Sequence, residues 1–274
     1  MYVSVAVMDT GIFRHMDFDT RIAGFADFVG RKKYLYDDNG HGTHVAGIIA
    51  GSGKGSNGKY RGIAPDTFLV SVKVLDKSGN GKIENVVEAA GWIIENKSAM
   101  NIRVVNISFG TRAKMENGLA IETGEDDYAL IMAVEKMWDS GIVVVAAAGN
   151  NGPGNTSVTA PGISKKIITV GAFDDKNFFS GRGPTRECIV KPEVVVTGSN
   201  IIACNNHQGR YSSKSGTSMA APVVSGAVAR LIKNNPDITP KEVKIWMKSC
   251  CKKINVPSEK QGWGVLDIRK FVTG

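Results

Sequence analysis

The serine in Ser215-Gly216-Thr217-Ser218-Met219-Ala220-Ala221-Pro222 is enclosed by small residues and followed by helix-compatible ones, so its hydroxyl could stand uncrowded at a helix mouth. A serine hydroxyl is a weak nucleophile. It needs a base to take its proton, an acid to orient that base, and donors for the oxyanion it creates. At a helix start the same residue could simply cap free backbone N–H groups, so the stretch alone does not decide. Three other positions supply the missing types. Asp9 follows the apolar run Tyr2 to Met8, and His41 opens the small and apolar stretch His41-Gly42-Thr43-His44-Val45-Ala46-Gly47. Asn150 closes Ala147-Ala148-Gly149-Asn150. Each has a plainer reading: Asp9 could make local turn hydrogen bonds, and His41 with His44 could suggest a metal. A His-x-x-His without an intervening Glu or an obvious third ligand is weak evidence for zinc.

These residues must be placed by the elements around them. Tyr2 to Met8, Phe68 to Leu75, Arg103 to Ser108 and Ile142 to Ala148 are nearly continuous apolar runs, as expected of parallel strands covered on both faces. Ile167 to Ala172 and Glu193 to Val196 read as further strands. Helical spacing runs from Ile83 to Ile94 and from Tyr128 to Ser140, and a helix is expected to start near His41. Strand and helix alternate, which predicts an α/β fold with a mostly parallel central sheet and helices on both faces. Asp9, Ser108 and Asn150 then share one sheet edge, beyond the carboxyl ends of the strands, where ligands bind in such folds. The stretch from Gly11 to Asp38 reads as a polar loop, and 51 to 62 as a Gly-Lys-Ser-rich connection, a poor imitation of a phosphate loop with Tyr60 where Ser or Thr belongs. The acidic stretch 111 to 127, with Glu116, Glu122, Glu125, Asp126 and Asp127, reads as a surface insertion. Asn200 to Ser213 reads as an irregular hairpin, and two helices, Ser218 to Asn234 and Lys241 to Cys250, as the close of the chain.

With 274 residues and 42% hydrophobic content, one domain over 1–274 is expected. The net charge of +8 is dispersed, its densest tract being Arg31-Lys32-Lys33, which argues against a nucleic-acid partner. Cys188, Cys204, Cys250 and Cys251 have neither zinc spacing nor a good disulfide pattern, and reduced thiols suit a cytoplasmic setting. The chain opens on no leader-type segment and contains no membrane-length apolar run, so no membrane partner is expected, and secretion would require a leader already removed.

The order Asp9, His41, Ser218 is one of the three known for Ser-His-Asp hydrolases. Val5-Ala6-Val7-Met8-Asp9-Thr10-Gly11, His41 to Gly47 and Gly216 to Pro222 resemble the three signature blocks of the subtilisin-like serine proteases, the subtilases of peptidase family S8. Asp37-Asp38-Asn39-Gly40-His41 and the insertion after Gly110 look most like intracellular bacterial members of the AprX type. The resemblance implies a three-layer subtilisin-like fold and a serine endopeptidase acting through an acyl-enzyme. In it Asp9, His41 and Ser218 form the triad, Asn150 serves the oxyanion hole, and His44 is structural. Ser108-Phe109-Gly110 and Ala147-Ala148-Gly149 would bind substrate backbone, giving broad specificity. Thr159 would fall where many relatives have glycine at the base of the primary pocket, making it shallower. The resemblance also implies polypeptide substrates, a removable propeptide outside this chain, and a monomer. No cofactor is required by the chemistry. Asp17 matches a family calcium-ligand position, with most of its partners missing, which leaves a structural calcium open. The alternative is a catalytically silent subtilase-fold protein that binds or regulates a partner.

Overall fold

The computed structural model describes residues 2–111, 115–116, 119–120, 124–176 and 179–274. Strand β1 (Ser4–Asp9) is buried along its whole length because it faces a core on each side. Val5 and Val7 enter one core, Ala6 and Met8 the other. That alternation explains why the run reads as continuously apolar.

The chain continues through β2 (Ile22–Asp27), α1 (His41–Ala50), β3 (Phe68–Lys73), α2 (Ile83–Asn96) and β4 (Ile102–Ile107). The short strands β5 (Met115–Glu116) and β6 (Leu119–Ala120) pair with one another, and α3 (Glu125–Asp139), β7 (Val143–Ala147), β8 (Ile168–Ala172) and β9 (Val194–Val196) follow. The expected hairpin is β10 (Ile201–Cys204) with β11 (Tyr211–Lys214), leading into α4 (Thr217–Asn234) and α5 (Pro240–Ser249). The tail adds β12 (Cys251–Lys252), α6 (Ser258–Gln261), β13 (Val265–Leu266) and α7 (Ile268–Val272).

Nine strands form one sheet in the order β12-β13-β9-β8-β7-β4-β1-β3-β2, parallel except where β12 meets β13. Helices α1 and α4 belong to the core on one face, α2 and α3 to the core on the other, which gives the three layers expected. Most residues of α4 are buried, and the helix packs against β4, β7 and β8.

Three expectations are corrected. The supposed polar loop contains the edge strand β2, whose glycine-interrupted sequence carries little strand signal and which is held by pairing with β3, across a register shift between Ile22 and Gly24. Glu125, Asp126 and Asp127 form the first turn of α3 and not a surface loop, an arrangement favoured by the positive helix N-terminus. The rest of the acidic insertion lies largely outside the described residues. The chain does not close on α5: Asp267 caps α7, and β13 adds a parallel partner to β9.

Candidate active site

Neighbouring strands deliver the site. Asp9 ends β1, Ser108 directly follows β4, and Asn150 lies three residues beyond β7, all at the carboxyl edge of the sheet. His41 and Ser218 arrive at that edge on the first turns of α1 and α4.

His41 Nδ1 lies 2.7 Å from Asp9 Oδ1, and the same oxygen accepts the Thr10 N–H at 2.8 Å. Asp9 is fully buried, whereas the His41 side chain keeps a quarter of its surface open. Burial disfavours the imidazolium, but the charge of Asp9 and its hydrogen bond outweigh that, so the His41 pKa is raised above its ordinary value. With Nδ1–H given to Asp9, the lone pair of Nε2 is left for a proton.

The entry of α1 is held from outside the helix. The three N–H groups of His41, Gly42 and Thr43 have no intrahelical acceptor. They are met by Asn39 Oδ1 at 3.0 Å, Thr10 Oγ1 at 2.9 Å and Asp37 Oδ2 at 3.0 Å. Asp37 also accepts from the hydroxyls of Thr10 and Thr43 and from the N–H groups of Asn39 and Gly40. Position 42 must be glycine because a Cβ there would strike the Gly11 carbonyl. Lys73, opposite Asp9 in register, is buried and donates to the carbonyls of Thr10 and Leu75 at 2.6 and 2.9 Å and to Asp38 at 2.7 Å. Asp37 and Lys73 therefore tie the turn after Asp9 to the helix that carries His41. Neither role is visible in local sequence, since their partners are distant along the chain.

His44 is structural, as expected. It is buried, its Nε2 faces the carbonyls of Ile201 and Ser212 at 3.1 and 3.0 Å, and burial lowers its pKa to about 4. It is a neutral donor linking α1 to the hairpin.

At α4, Asn150 Oδ1 accepts from Thr217 N–H at 3.0 Å and from Thr217 Oγ1 at 3.1 Å, while Thr217 Oγ1 accepts Gly149 N–H at 3.1 Å. Both lone-pair directions of the Asn150 carbonyl are thus used, and its Nδ2 remains as a donor next to Gly216. The N–H of Ser218 lies in the first turn, where helices offer no acceptor. Ser218 Oγ donates to the Ser108 carbonyl at 2.8 Å.

A cleft of about 820 Å³ begins at Phe109 and Gly110, directly after Ser108, and none of Asp9, His41, Asn150 and Ser218 lines it. Phe109, Gly110 and Thr159 line it, and Gly79-Asn80-Gly81, a segment no motif marks, form part of its wall. The Thr159 hydroxyl packs against Gly110 and Gly149; a Cβ at Gly149 would lie 2.7 Å from it. Ala147, Ala148 and Gly149 are placed beside the site, but Ala148 N–H donates to Val170 and Gly149 N–H to Thr217 Oγ1. The carbonyls of Ala148 and Gly149 accept from Thr159 and Gly181. Their peptide groups hold the wall together internally, whereas Phe109 and Gly110 remain at the cleft.

Asp17 lies elsewhere, behind α1. Its carboxylate accepts Gly53 N–H at 3.0 Å, Gly55 N–H at 2.8 Å and the Tyr211 hydroxyl at 3.0 Å, with Cys204 Sγ at 3.5 Å. His15 and Cys204 complete a ligand-like cluster among the described residues, yet His15 Nδ1 accepts the Asp17 N–H at 3.2 Å. Burial, then the charge of Asp17, pushes the Cys204 thiol pKa up. Hydrogens surround this carboxylate, an arrangement that fits an anion and not a cation.

Fold and site together place a His41–Asp9 pair, the helix-start hydroxyl of Ser218 and the amide donor of Asn150 at the carboxyl edge of a parallel sheet. The chain belongs to the subtilase family, whose model matches residues 2–264. It is 42% identical over 273 residues to serine protease AprX of Bacillus subtilis (strain 168), covering 90% of this chain and 60% of that protein. Subtilisin DY of Bacillus licheniformis is 34% identical over 244 residues, covering 88% and 81% of the two chains. The chain thus spans about 60% of the length of the AprX relative. Among solved structures, sphericase superposes with a TM-score of 0.80 at 26% identity, over 96% of this chain and 90% of that one. A cold-adapted subtilisin-like serine proteinase gives 0.76 at 30% identity, over 96% and 86%. No helix among the described residues is long and apolar enough to cross a membrane.

Proposed function

We propose that this chain is a single catalytic domain that hydrolyses peptide bonds within polypeptides, with Ser218 as nucleophile. The observation that carries the reading is the 2.7 Å contact of His41 Nδ1 with buried Asp9, which leaves Nε2 as a base at the sheet edge where α4 also begins. Ser218 turns from the Ser108 carbonyl towards Nε2 and gives up its proton as Oγ attacks the substrate carbonyl. Asp9 holds the imidazole tautomer and stabilises the cation. Asn150 Nδ2 and the Ser218 N–H receive the oxyanion, and such a donor is worth a factor of about 10²–10³ in kcat, a magnitude measured on subtilisin, a member of this family. His41 then protonates the leaving amine, and water repeats the sequence in reverse to free the acyl group.

Backbone pairing at Phe109 and Gly110 tolerates many sequences, because every peptide presents the same groups. Thr159, wedged between Gly110 and Gly149, supports a shallow primary pocket that takes small side chains. The donor set around Asp17 supports a chain that holds no calcium there: two glycine N–H groups of the 51–62 connection and the Tyr211 hydroxyl stand where a cation would need lone pairs.

A serine-reactive phosphonate should add one label, at Ser218, and abolish hydrolysis of casein; Ser218→Ala should prevent both. Labelling elsewhere would sink the assignment. A second reading, a silent binding protein, is favoured by the Ser218 hydroxyl pointing at Ser108 and not at His41. Wild-type protein that takes no label would support it.

A further inference from the structure

Helix α4 contains Pro222, four residues after Ser218. In an α-helix the carbonyl of residue 218 would accept the N–H of residue 222, and proline has none. The carbonyl of Ser218 therefore starts without a helical partner, in a partly buried setting where a missing hydrogen bond is costly. The Ser108 hydroxyl fills that place, donating to Ser218 O at 3.0 Å.

The hydroxyl is itself aimed. Asn106 Nδ2 donates to Ser108 Oγ at 2.9 Å, so the Ser108 proton is turned away from Asn106 and towards Ser218. Asn106 is oriented in turn by Ser225, whose hydroxyl donates to Asn106 Oδ1 at 2.8 Å. Ser218, Pro222 and Ser225 stand at i, i+4 and i+7, one face of α4. Asn106 lies on the face of β4 that meets it, because its neighbours Val105 and Ile107 enter the opposite core. Asn106 and Ser225 are fully buried and Ser108 nearly so, and each finds a partner in this chain of bonds.

We propose that Ser108, aimed by Asn106 and Ser225, is a positioning residue for the nucleophile, replacing by a side chain the helical hydrogen bond that Pro222 removes. The proposal rests on the reading of Ser218 as nucleophile. Asn150 holds the Gly216–Thr217 peptide through the Thr217 N–H, and Ser108 holds the Ser218–Met219 peptide through the Ser218 carbonyl, so the backbone is pinned one peptide before Ser218 and directly after it. Its N–H and Cβ, the oxyanion donor and the root of the nucleophile, then have one direction each.

The test is a double-mutant cycle. Ser108→Ala should lower kcat about tenfold with KM nearly unchanged, because a loosened nucleophile costs rate more than binding. Pro222→Ala restores an N–H at position 222. In that background Ser108→Ala should cost far less kcat, and the same coupling should appear in thermal unfolding. Asn106→Ala, which frees the Ser108 hydroxyl, gives an independent arm and should lower kcat with KM held. Equal kcat losses from Ser108→Ala in both backgrounds, or coupling in unfolding without coupling in kcat, would overturn the proposal. A wild type that neither cleaves casein nor takes the phosphonate would instead refute the protease reading, a result visible before any variant is made.

Discussion

Asp9 Oδ1 and His41 Nδ1 are 2.7 Å apart, and the other Asp9 oxygen is buried with no hydrogen-bond partner among the described residues. The charge of this carboxylate is therefore directed largely at one imidazole. Burial pulls the His41 pKa down and Asp9 pulls it up further, for a net rise above 6.5. Hydrolysis needs the neutral ring, so kcat/KM should climb with pH through a midpoint above 6.5. In Asp9→Asn the burial remains without the attraction, and the residual activity should titrate at a lower pH. A pH profile that is flat from 5 to 8, or unmoved in the variant, would count against the assignment. The same raised pKa has the opposite sign for stability: the attraction is fully present below pH 6.5 and fades as pH rises through the folded pKa.

Thr159 should set the primary preference. Thr159→Gly removes the side chain packed against Gly110 and Gly149 and opens the floor between them. The ratio of kcat/KM for a phenylalanine over an alanine at the cleaved position should rise roughly tenfold or more, within the range seen for pocket changes of a few methylene groups. An unchanged ratio in peptide assays would place the pocket floor elsewhere.

Asp37 should matter for stability as well as rate, although it touches no substrate. It accepts five hydrogen bonds that join β1, the preceding loop and the start of α1. Asp37→Ala leaves several of those donors buried and should cost roughly 2–3 kcal/mol, by the worth of hydrogen bonds to a charged group. Urea unfolding would show it, and kcat should fall with it because His41 loses its anchored helix.

Calcium should not act through Asp17. EDTA should leave the melting temperature where it was, while Tyr211→Phe, which removes a donor to that carboxylate, should lower stability by roughly 1.5–3 kcal/mol. A ligand that binds only the folded state raises its melting temperature. A rise with added calcium that disappears in Asp17→Asn would show a site there.

The chain announces some of this plainly. Asp9, Ser108 and Asn150 could be placed on one edge because each follows a strand buried on both faces, and such strands read as apolar runs whatever surrounds them. Likewise His41 and Ser218 sit where small residues begin a helix, and their type and order point to one chemistry. β2 was not legible, since an edge strand broken by Gly24 is defined by its pairing with β3. Nor was the role of Ala148 and Gly149, whose motif is readable but whose peptide bonds are committed to Val170, Thr159, Thr217 and Gly181.

The candidate reacting groups and the sheet edge that gathers them are thus written in the sequence, because residue type and periodicity are local properties. Only the tertiary structure decided how those groups are held: Asp37 across the entry of α1, Lys73 beneath the turn after Asp9, the hydrogens around Asp17, and Ser108 standing in for the N–H that Pro222 lacks. Each of these satisfies a buried donor or acceptor with a partner far away in the chain, and no local pattern says which partner the fold will bring within 3 Å.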